Sequence, residues 1–519
     1  MSDLITRGEV PLLSHRRVLL VIGALMLGML LAALDQTIVA TALPTIAGDL
    51  HGLSHLSWVV TGYLLAATVS TPLWGKLGDM YGRKVFFQAS IVIFLVGSAL
   101  SGLSSSMIEL IAFRALQGLG AGGLMVGAQA IIGDVVPPRD RGKYQGVFGA
   151  VFGLSSVAGP LLGGFFVQNL SWHWIFYINL PLGAVALVVT TGALPNALRR
   201  VQHVIDYLGA VLLAAGVTCL VLLTTLGGTT YPWGSTPILI MAVLGVVLLA
   251  AFVLVERRAA EPILPLHLFK NRVFSAASAI GFIVGFSMFG AITYLPTYLQ
   301  VVRGASPTGS GLELLPLMAG LLVTSIGSGI LISRWGRYKI FPILGTAVMS
   351  VGLLLFSMLG LHTHELVISL FMVVLGLGLG GVMQVLVIAT QNAVPQSELG
   401  VATSGATFFR SIGGSFGTAV FGAIFANVLT GNLTHYLAST RLPRGFSGAA
   451  GASPAALAKL PPAVHAAYVQ AVNASLHPVF LWAVPFGILA FAITWLMKEV
   501  PLHRTVRSAH TPIPQPTEA

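Results

Sequence analysis

Three ionisable side chains stand inside apolar runs of this chain. Asp35 lies in the run 18–42, within Leu34-Asp35-Gln36-Thr37-Ile38-Val39-Ala40-Thr41-Ala42-Leu43-Pro44. Arg114 lies in the run 107–132 and Arg410 in the run 401–427. A charge at the centre of a membrane-spanning helix costs about 2.5 kcal/mol or more, so it faces a partner or a water-filled path. Burial disfavours the charged form of a carboxylate, so Asp35 could load and release a proton if water reached it from alternate sides. The competing role for Asp35 is a carboxylate fixed in a structural network. Arg114 could lock helices by pairing with a carboxylate or carbonyls. Arg410 either tunes a pocket or braces its own half of the molecule.

A further acid, Glu313, begins the run 311–333. It is a second candidate site for cationic cargo, or a helix-start acid favoured by the dipole. Trp58, Tyr63, Gln129, Tyr294 and Tyr298 are candidate pocket contacts, since aromatic faces attract lipophilic cations. Helix packing and an interfacial belt compete for each of them. His362-Thr363-His364-Glu365 falls in a short loop without other ligands, so no metal site is expected.

These residues must be held by membrane helices. The chain has 519 residues, 55% hydrophobic and only 8% charged, with mean hydropathy +0.89. Soluble domains carry about 25% charged residues. Apolar runs of about 20 residues, each long enough to cross a bilayer, recur at 18–42, 55–74, 85–103, 107–132, 143–167, 173–194, 207–226, 237–255, 273–299, 311–333, 340–360, 366–392, 401–427 and 477–497. The expected fold is an all-α integral membrane protein with 14 transmembrane helices. The single cysteine, Cys219, rules out an internal disulfide framework. The first run is too long for a signal-peptide core and contains Asp35, so no cleavable signal is expected.

Lys and Arg in the loops set the expected orientation. Of the 27 in the chain, 21 fall on one side of these runs and four (Arg303, Arg441, Arg444 and Lys459) on the other. The basic side is expected to be cytoplasmic and to hold both termini. The net charge of +11 is then a topology signal and a contact for membrane lipids, not a nucleic-acid surface. The expected layout is a cytoplasmic N-terminus 1–17, a six-helix bundle 18–194, an inserted hairpin with linkers 195–271, a second six-helix bundle 272–497 and a cytoplasmic tail 498–519. An extracellular loop, 428–476, is read as a tether inside the second bundle.

The two bundles repeat each other weakly. Thr41-Ala42-Leu43-Pro44-Thr45 recurs as Thr293-Tyr294-Leu295-Pro296-Thr297. Gly75, Gly82 and Arg83 recur at the same spacing as Gly329, Gly336 and Arg337; Gly118-Leu119-Gly120-Ala121-Gly122-Gly123 recurs as Gly376-Leu377-Gly378-Leu379-Gly380-Gly381. Pro137, Asp140 and Gly142 match Pro395, Glu398 and Gly400. Four matches in one order indicate a parallel duplication about an axis along the membrane normal, an architecture that holds substrate between its halves. Ser287 then stands opposite Asp35, Ser333 opposite Asp79 and Met372 opposite Arg114, so the ionisable residues of these motifs belong to the first half.

Four motifs carry a family resemblance. Gly75-Lys76-Leu77-Gly78-Asp79-Met80-Tyr81-Gly82-Arg83-Lys84 resembles the signature loop of the major facilitator superfamily. Leu110, Arg114, Gln117, Gly118, Gly120 and Ala121 look like its second motif. Gly146 with Gly159-Pro160-Leu161-Leu162-Gly163-Gly164 resembles its antiporter motif, with Ser155 where a further glycine is usual. The Leu34–Pro44 string is similar to the first-helix motif of fourteen-helix drug:proton antiporters of the EmrB/QacA type, with Ala40 where Asn is frequent. The resemblance implies the major facilitator fold, with an inserted two-helix hairpin between the bundles. It implies that Asp35 and Arg114 handle protons and that Asp79 and Arg83 latch a cytoplasmic gate against the second half. The glycines of the antiporter motif, with Gly149 and Gly153, would seal the seam between halves.

No nucleotide-binding loop and no hydrolase motif is present. Transport would draw on a gradient rather than on ATP, and no cofactor is expected. The expectation is a monomeric exporter of small lipophilic, often cationic, compounds in exchange for protons, in a bacterial cell membrane. The sequence names no accessory membrane-fusion protein. Rival readings are a same-fold exporter of a specific lipid, siderophore, amino acid or antibiotic, and a membrane sensor or scaffold that moves nothing.

Overall fold

The computed structural model describes residues 15–50, 55–194, 204–228, 230–437 and 461–502. Most of the N-terminal segment, the linker 195–203, the centre of the loop 428–476 and the tail beyond 502 lie outside the described residues. With them lie Arg7, Arg199, Arg200, Arg441, Arg444, Lys459, Arg504 and Arg507.

The described chain is helical. The elements are α1 (His15–Asp49), α2 (Leu56–Tyr81), α3 (Arg83–Gly102), α4 (Met107–Val135), α5 (Arg141–Asn169), α6 (Asn179–Ala193, after a turn Trp174–Tyr177), α7 (Tyr207–Leu226) and α8 (Thr236–Glu256). They continue with α9 (Arg272–Ile292), α10 (Leu315–Trp335), α11 (Ile340–Phe356), α12 (Glu365–Gly380, continued as Met383–Asn392), α13 (Leu399–Leu437) and α14 (Pro462–Leu496). Eleven helices among the described residues are long and apolar enough to cross a membrane, and α9 and α11 contain shorter apolar helices. Helices satisfy every backbone group internally, which a hydrocarbon environment demands.

The helices gather into two bundles. In the first, α1 packs on α5 and α6, and α4 packs on α2 and α3. In the second, α9 packs on α13, α12 on α10 and α11, and α14 on α9, α11 and α13. Each bundle has its own apolar core, one around Phe87, Phe94 and Phe148, the other around Tyr298, Phe356, Phe421 and Phe480. The bundles meet where α10 packs on α5 and α13 packs on α2 and α4. Helix α7 touches one helix of each bundle, α2 and α13, and α8 packs on α7. Leu239, Ile240, Val243, Val246 and Val247 of α8 are exposed, as on a helix that faces lipid.

Several expected boundaries move. Helix α2 runs on to Tyr81, so the signature segment is not a loop. Its turn is confined to Gly82, whose φ of 102° suits a residue without a Cβ. The run 273–299 breaks after Ile292 and resumes as Leu295–Thr297 and a π-helical turn, Tyr298–Val302; Pro296 supplies no backbone donor there. Glu313 ends a separate helical turn, Pro307–Glu313, and does not begin the run 311–333. The segment 428–476 is not simply a tether. α13 extends to Leu437 and α14 starts at Pro462, with Leu429, Leu433 and Leu437 in one core with Val464, Tyr468 and Val472. Asn432 Nδ2 donates to Ser475 Oγ at 2.9 Å between them.

Candidate functional site

Asp35 is wholly buried and Arg114 is 1% exposed. Arg114 Nη1 donates to Asp35 Oδ2 in an ion pair. The carboxylate is held from two further directions. Gln117 Nε2 donates to Asp35 Oδ1 at 2.8 Å, and Gln117 Oε1 accepts from Arg114 Nη1 at 2.7 Å. Asn179 Nδ2 donates to Asp35 Oδ1 at 3.2 Å and to Ser98 Oγ at 3.0 Å. The guanidinium lies over the Tyr63 ring, 4.1 Å from its centroid, and the Tyr63 hydroxyl donates to the Ala32 carbonyl at 3.3 Å. Arg114 Nε and Asn179 Oδ1 have no hydrogen-bond partner among the described residues. The cluster draws on α1, α2, α3, α4 and α6, all within the first bundle.

The second bundle has no such pair at the matching places. Ser287 and Met372 are buried there, and Ser287 Oγ lacks a hydrogen-bond partner among the described residues.

The bundles are latched at the end that carries Asp79. Asp79 accepts from the backbone N–H of Gly400 at 3.0 Å and of Val401 at 2.7 Å. These belong to the first turn of α13, whose N–H groups lack intrahelical partners and attract negative charge. Arg83 pairs with both Asp79 and Asp134. Burial pushes the Asp79 carboxyl up to about 6, against the pull of Arg83 and the two N–H groups. Lys84 Nζ donates to the carbonyls of Thr191 and Leu194, at the end of α6, at 2.7 and 3.0 Å.

The matching seam uses the other end of a helix. Arg139 donates to the carbonyls of Ser333 at 2.8 Å and Arg334 at 2.6 Å, in the last turn of α10. Backbones touch at both seams: a Cβ on Gly75 would lie 2.6 Å from the Gly400 carbonyl, and one on Gly142 would lie 2.5 Å from that of Gly329. The paired glycines are those that recur in the sequence.

The antiporter glycines divide. Gly146 abuts Ser325 of α10, and Gly149 and Gly153 face the same helix. Gly159 and Gly163 face Thr37, Ile38 and Thr41 of α1, inside the first bundle, while Gly164 faces open space. The Ser155 backbone carbonyl accepts from Thr37 Oγ1 at 2.8 Å, and its hydroxyl donates to the Val151 carbonyl of its own helix at 2.8 Å. Among these glycines, those that lie on the seam between halves are in the first part of α5. Pro160 packs near Gly311.

A cleft of about 370 Å³ lies at the end opposite the latch, between α2, α7, α13 and the segment after α9. Thr61, Thr224, Thr225, Tyr294, Ser415 and Thr418 contribute hydroxyls to it, and no charged residue lines it. Tyr294 is the one expected pocket contact found there. Tyr63 belongs to the Asp35 cluster. Tyr298 is buried and donates to the Gly360 carbonyl at 2.9 Å. Gln129 is buried at the contact between bundles, where its carbonyl accepts from Gln391 Nε2 at 3.0 Å. Trp58 is half-buried and Glu313 exposed, both away from the cleft. Asp35 does not line it either. Arg410 is half-buried.

Gln117, Ser98, Asn179, Asp134 and Arg139 carry contacts that motif reading did not assign. Asn179 had a visible signal, an amide within an apolar run, where polar side chains bridge helices. Asp134 and Arg139 sit beyond the end of an apolar run and look like loop charges until the fold brings them to a seam.

Known proteins match this arrangement. The sequence profile of the Major Facilitator Superfamily matches residues 25–418. The chain is 40% identical over 512 residues to "Multidrug transporter protein MdtP" of Bacillus subtilis (strain 168), covering 94% of each chain. It is 36% identical to "Multidrug resistance protein 3" of the same organism, covering 92% of this chain and 95% of that one. It is 49% identical to an uncharacterised MFS-type transporter of Mycobacterium tuberculosis, covering 95% of this chain and 71% of that one. Among solved structures, the proton:xylose symporter XylE superposes with a TM-score of 0.64 at 14% identity, covering 96% of this chain and 99% of that chain. The relatives are transporters rather than enzymes, and this chain belongs to the major facilitator superfamily.

Proposed function

We propose that this chain is a proton-coupled exporter of lipophilic compounds that works by alternating access, of the fourteen-crossing antiporter type. In this reading α1–α6 and α9–α14 are the moving halves. Helices α7 and α8 are the inserted hairpin, and the basic end with both termini faces the cytoplasm of a bacterial cell. The relatives named for multidrug transport and resistance support export. Alternating access is supported by latches at one end and a cleft at the other.

The observation that carries the proton coupling is the buried Asp35–Arg114 pair, set inside one bundle and apart from the cleft. Protonating Asp35 removes the charge that holds Arg114 and leaves the guanidinium with Gln117 and the Tyr63 face. Two of the helices that contribute to the cluster also bear the Asp79 latch: α2 carries Asp79 and α4 carries Asp134. A proton bound at Asp35 can thus loosen the packing that sets the gate. Sequence reading offered Asp35 and Glu313 as candidate contacts for cationic cargo, beside a proton site or structural network for Asp35 and a helix-start acid for Glu313. Their places, one paired and one exposed, argue for export without a dedicated cation site.

The test is transport in inverted vesicles with an imposed proton gradient, comparing wild type with Asp35→Asn. The mutant should still bind cargo but should lose uphill export. Uphill export by the mutant at the wild-type rate would remove Asp35 from the coupling.

A further inference from the structure

Arg410 stands eleven residues into α13, and among the described residues it has no hydrogen bond or ion pair. The helices packed on α13 carry no acid to meet it. Helix α9 has only Arg272 at its start, and α7, α14 and Met383–Asn392 have no Asp, Glu, Lys or Arg. On α2, Lys76 and Asp79 lie at the latch end. On α4, Arg114 is paired with Asp35, Asp134 is paired with Arg83, and Glu109 is bound to Ser105 at the opposite end.

Its position links two polar groups already described. Thr403, Thr407, Arg410, Gly414 and Thr418 follow the i, i+4, i+7, i+11, i+15 spacing that puts residues on one stripe of a helix. At the inner end of the stripe, Thr403 Oγ1 accepts from Gln391 Nε2 at 3.1 Å and Thr407 Oγ1 donates to Gln129 Oε1 at 3.5 Å. At the outer end, Thr418 lines the cleft. Arg410 stands between them, about 12 Å along the axis from Thr418 at 1.5 Å per residue. Beside Gly281 of α9, this stripe of α13 therefore runs from the carboxamides of Gln129 and Gln391 past one unbalanced positive charge to the hydroxyl of Thr418 in the cleft.

We infer that Arg410 is the anchor for a negative group on the cargo, and that the preferred substrates are lipophilic carboxylates, with the apolar body in the cleft by Tyr294 and Thr418. A guanidinium holds a carboxylate through paired N–H donors, which no hydroxyl of the cleft can do. This rests on the exporter reading for the direction of movement, not for the charge preference.

The test uses purified full-length protein in nanodiscs and two probes that share a fluorophore, dansylglycine as the carboxylate and dansylcadaverine as the amine. Wild type should bind dansylglycine more tightly by about tenfold or more, as expected for a hydrogen bond to a charged group. Arg410→Gln should erase the preference and Arg410→Lys should restore part of it, with thermal melting checked for both. Equal or tighter binding of dansylcadaverine by wild type, no binding of dansylglycine, or an unchanged preference in Arg410→Gln overturns the assignment. If Arg410→Gln does not fold, the wild-type preference and Arg410→Lys decide. Reconstituted protein that keeps the preference but moves neither probe under a proton gradient would overturn the exporter reading and leave the charge assignment standing.

Discussion

Asp79 and Arg410 are both charges in places where water is scarce, and they are handled in opposite ways. Asp79 is enclosed by Arg83 and by the first N–H groups of α13, yet burial still pushes its carboxyl up to about 6. The latched form therefore holds a proton more tightly than an unlatched form with an ordinary exposed carboxyl. Latching is favoured at low pH and weakened as pH rises from the ordinary carboxylate range through about 6. Spin-label distances across the seam should lengthen over that range, and Asp79→Asn should flatten the response. A flat wild-type response would contradict the sign. Arg410 has no such enclosure, and in the role proposed above its charge acts on cargo instead. At an effective dielectric of about 20, a cation about 8 Å away is repelled by about 2 kcal/mol. That is a discrimination of about thirtyfold against cations before any contact is made.

The two latches are matched to opposite helix ends. An acid meets the N-terminus of α13, and Arg139 meets the C-terminal carbonyls of α10, as the helix dipole favours. Both seams bring glycine backbones together, so they are sensitive to added volume. A Cβ on Gly142 would stand 2.5 Å from the Gly329 carbonyl. Overpacking of this kind costs about 1–3 kcal/mol. Gly142→Ala should therefore shift molecules away from the latched state by about 5- to 150-fold, seen as faster amide exchange at the start of α13 and the end of α10. Arg139→Ala should act in the same direction and more weakly, since it removes hydrogen bonds without adding a clash. Exchange unchanged in both variants would show that these seams do not hold the gate. Helix α7 adds a third contact between halves. Val221 and Thr224 line the cleft, while Leu213 and Val217 pack into a core with Val401 and Phe408 of α13.

At the scale of the whole molecule, the charge of the cargo decides what drives the cycle. Exporting an anion in exchange for one proton moves two elementary charges, each worth about 2.3 kcal/mol per 100 mV. Exchange of a monovalent cation for one proton would be electroneutral. In liposomes without a pH gradient, a potassium diffusion potential alone should then drive dansylglycine export at a substantial fraction of the rate seen with a proton gradient. Indifference to the potential would favour a cationic or electroneutral cycle. The hairpin α7–α8 lies beside this pathway. Its outer helix exposes Leu239, Val243 and Val247, and its inner helix α7 lines the cleft.

The sequence by itself determined the helices, their approximate ends, the duplication and the residues that had to find partners. Run length, glycine content and the cost of charge in hydrocarbon are local properties, and they are written in the chain. Asp35 and Arg114 were recognisable as misfits from that cost alone. Only the tertiary structure decided that they are each other's partner, because they are separated by 79 positions and pair only when α1 and α4 pack side by side. It also decided that Asn179 and Gln117 complete the cluster, that Arg139 mirrors Asp79, and that Glu313 and Trp58 stay away from the cleft. The helical ends around 428–437 and 462–476 became visible only in their mutual packing. The solitude of Arg410 is likewise a tertiary fact: the acids carried by the elements packed against α13 (Asp79, Glu109, Asp134 and Glu398) are engaged elsewhere, and that belongs to the arrangement of the helices, not to any one of them.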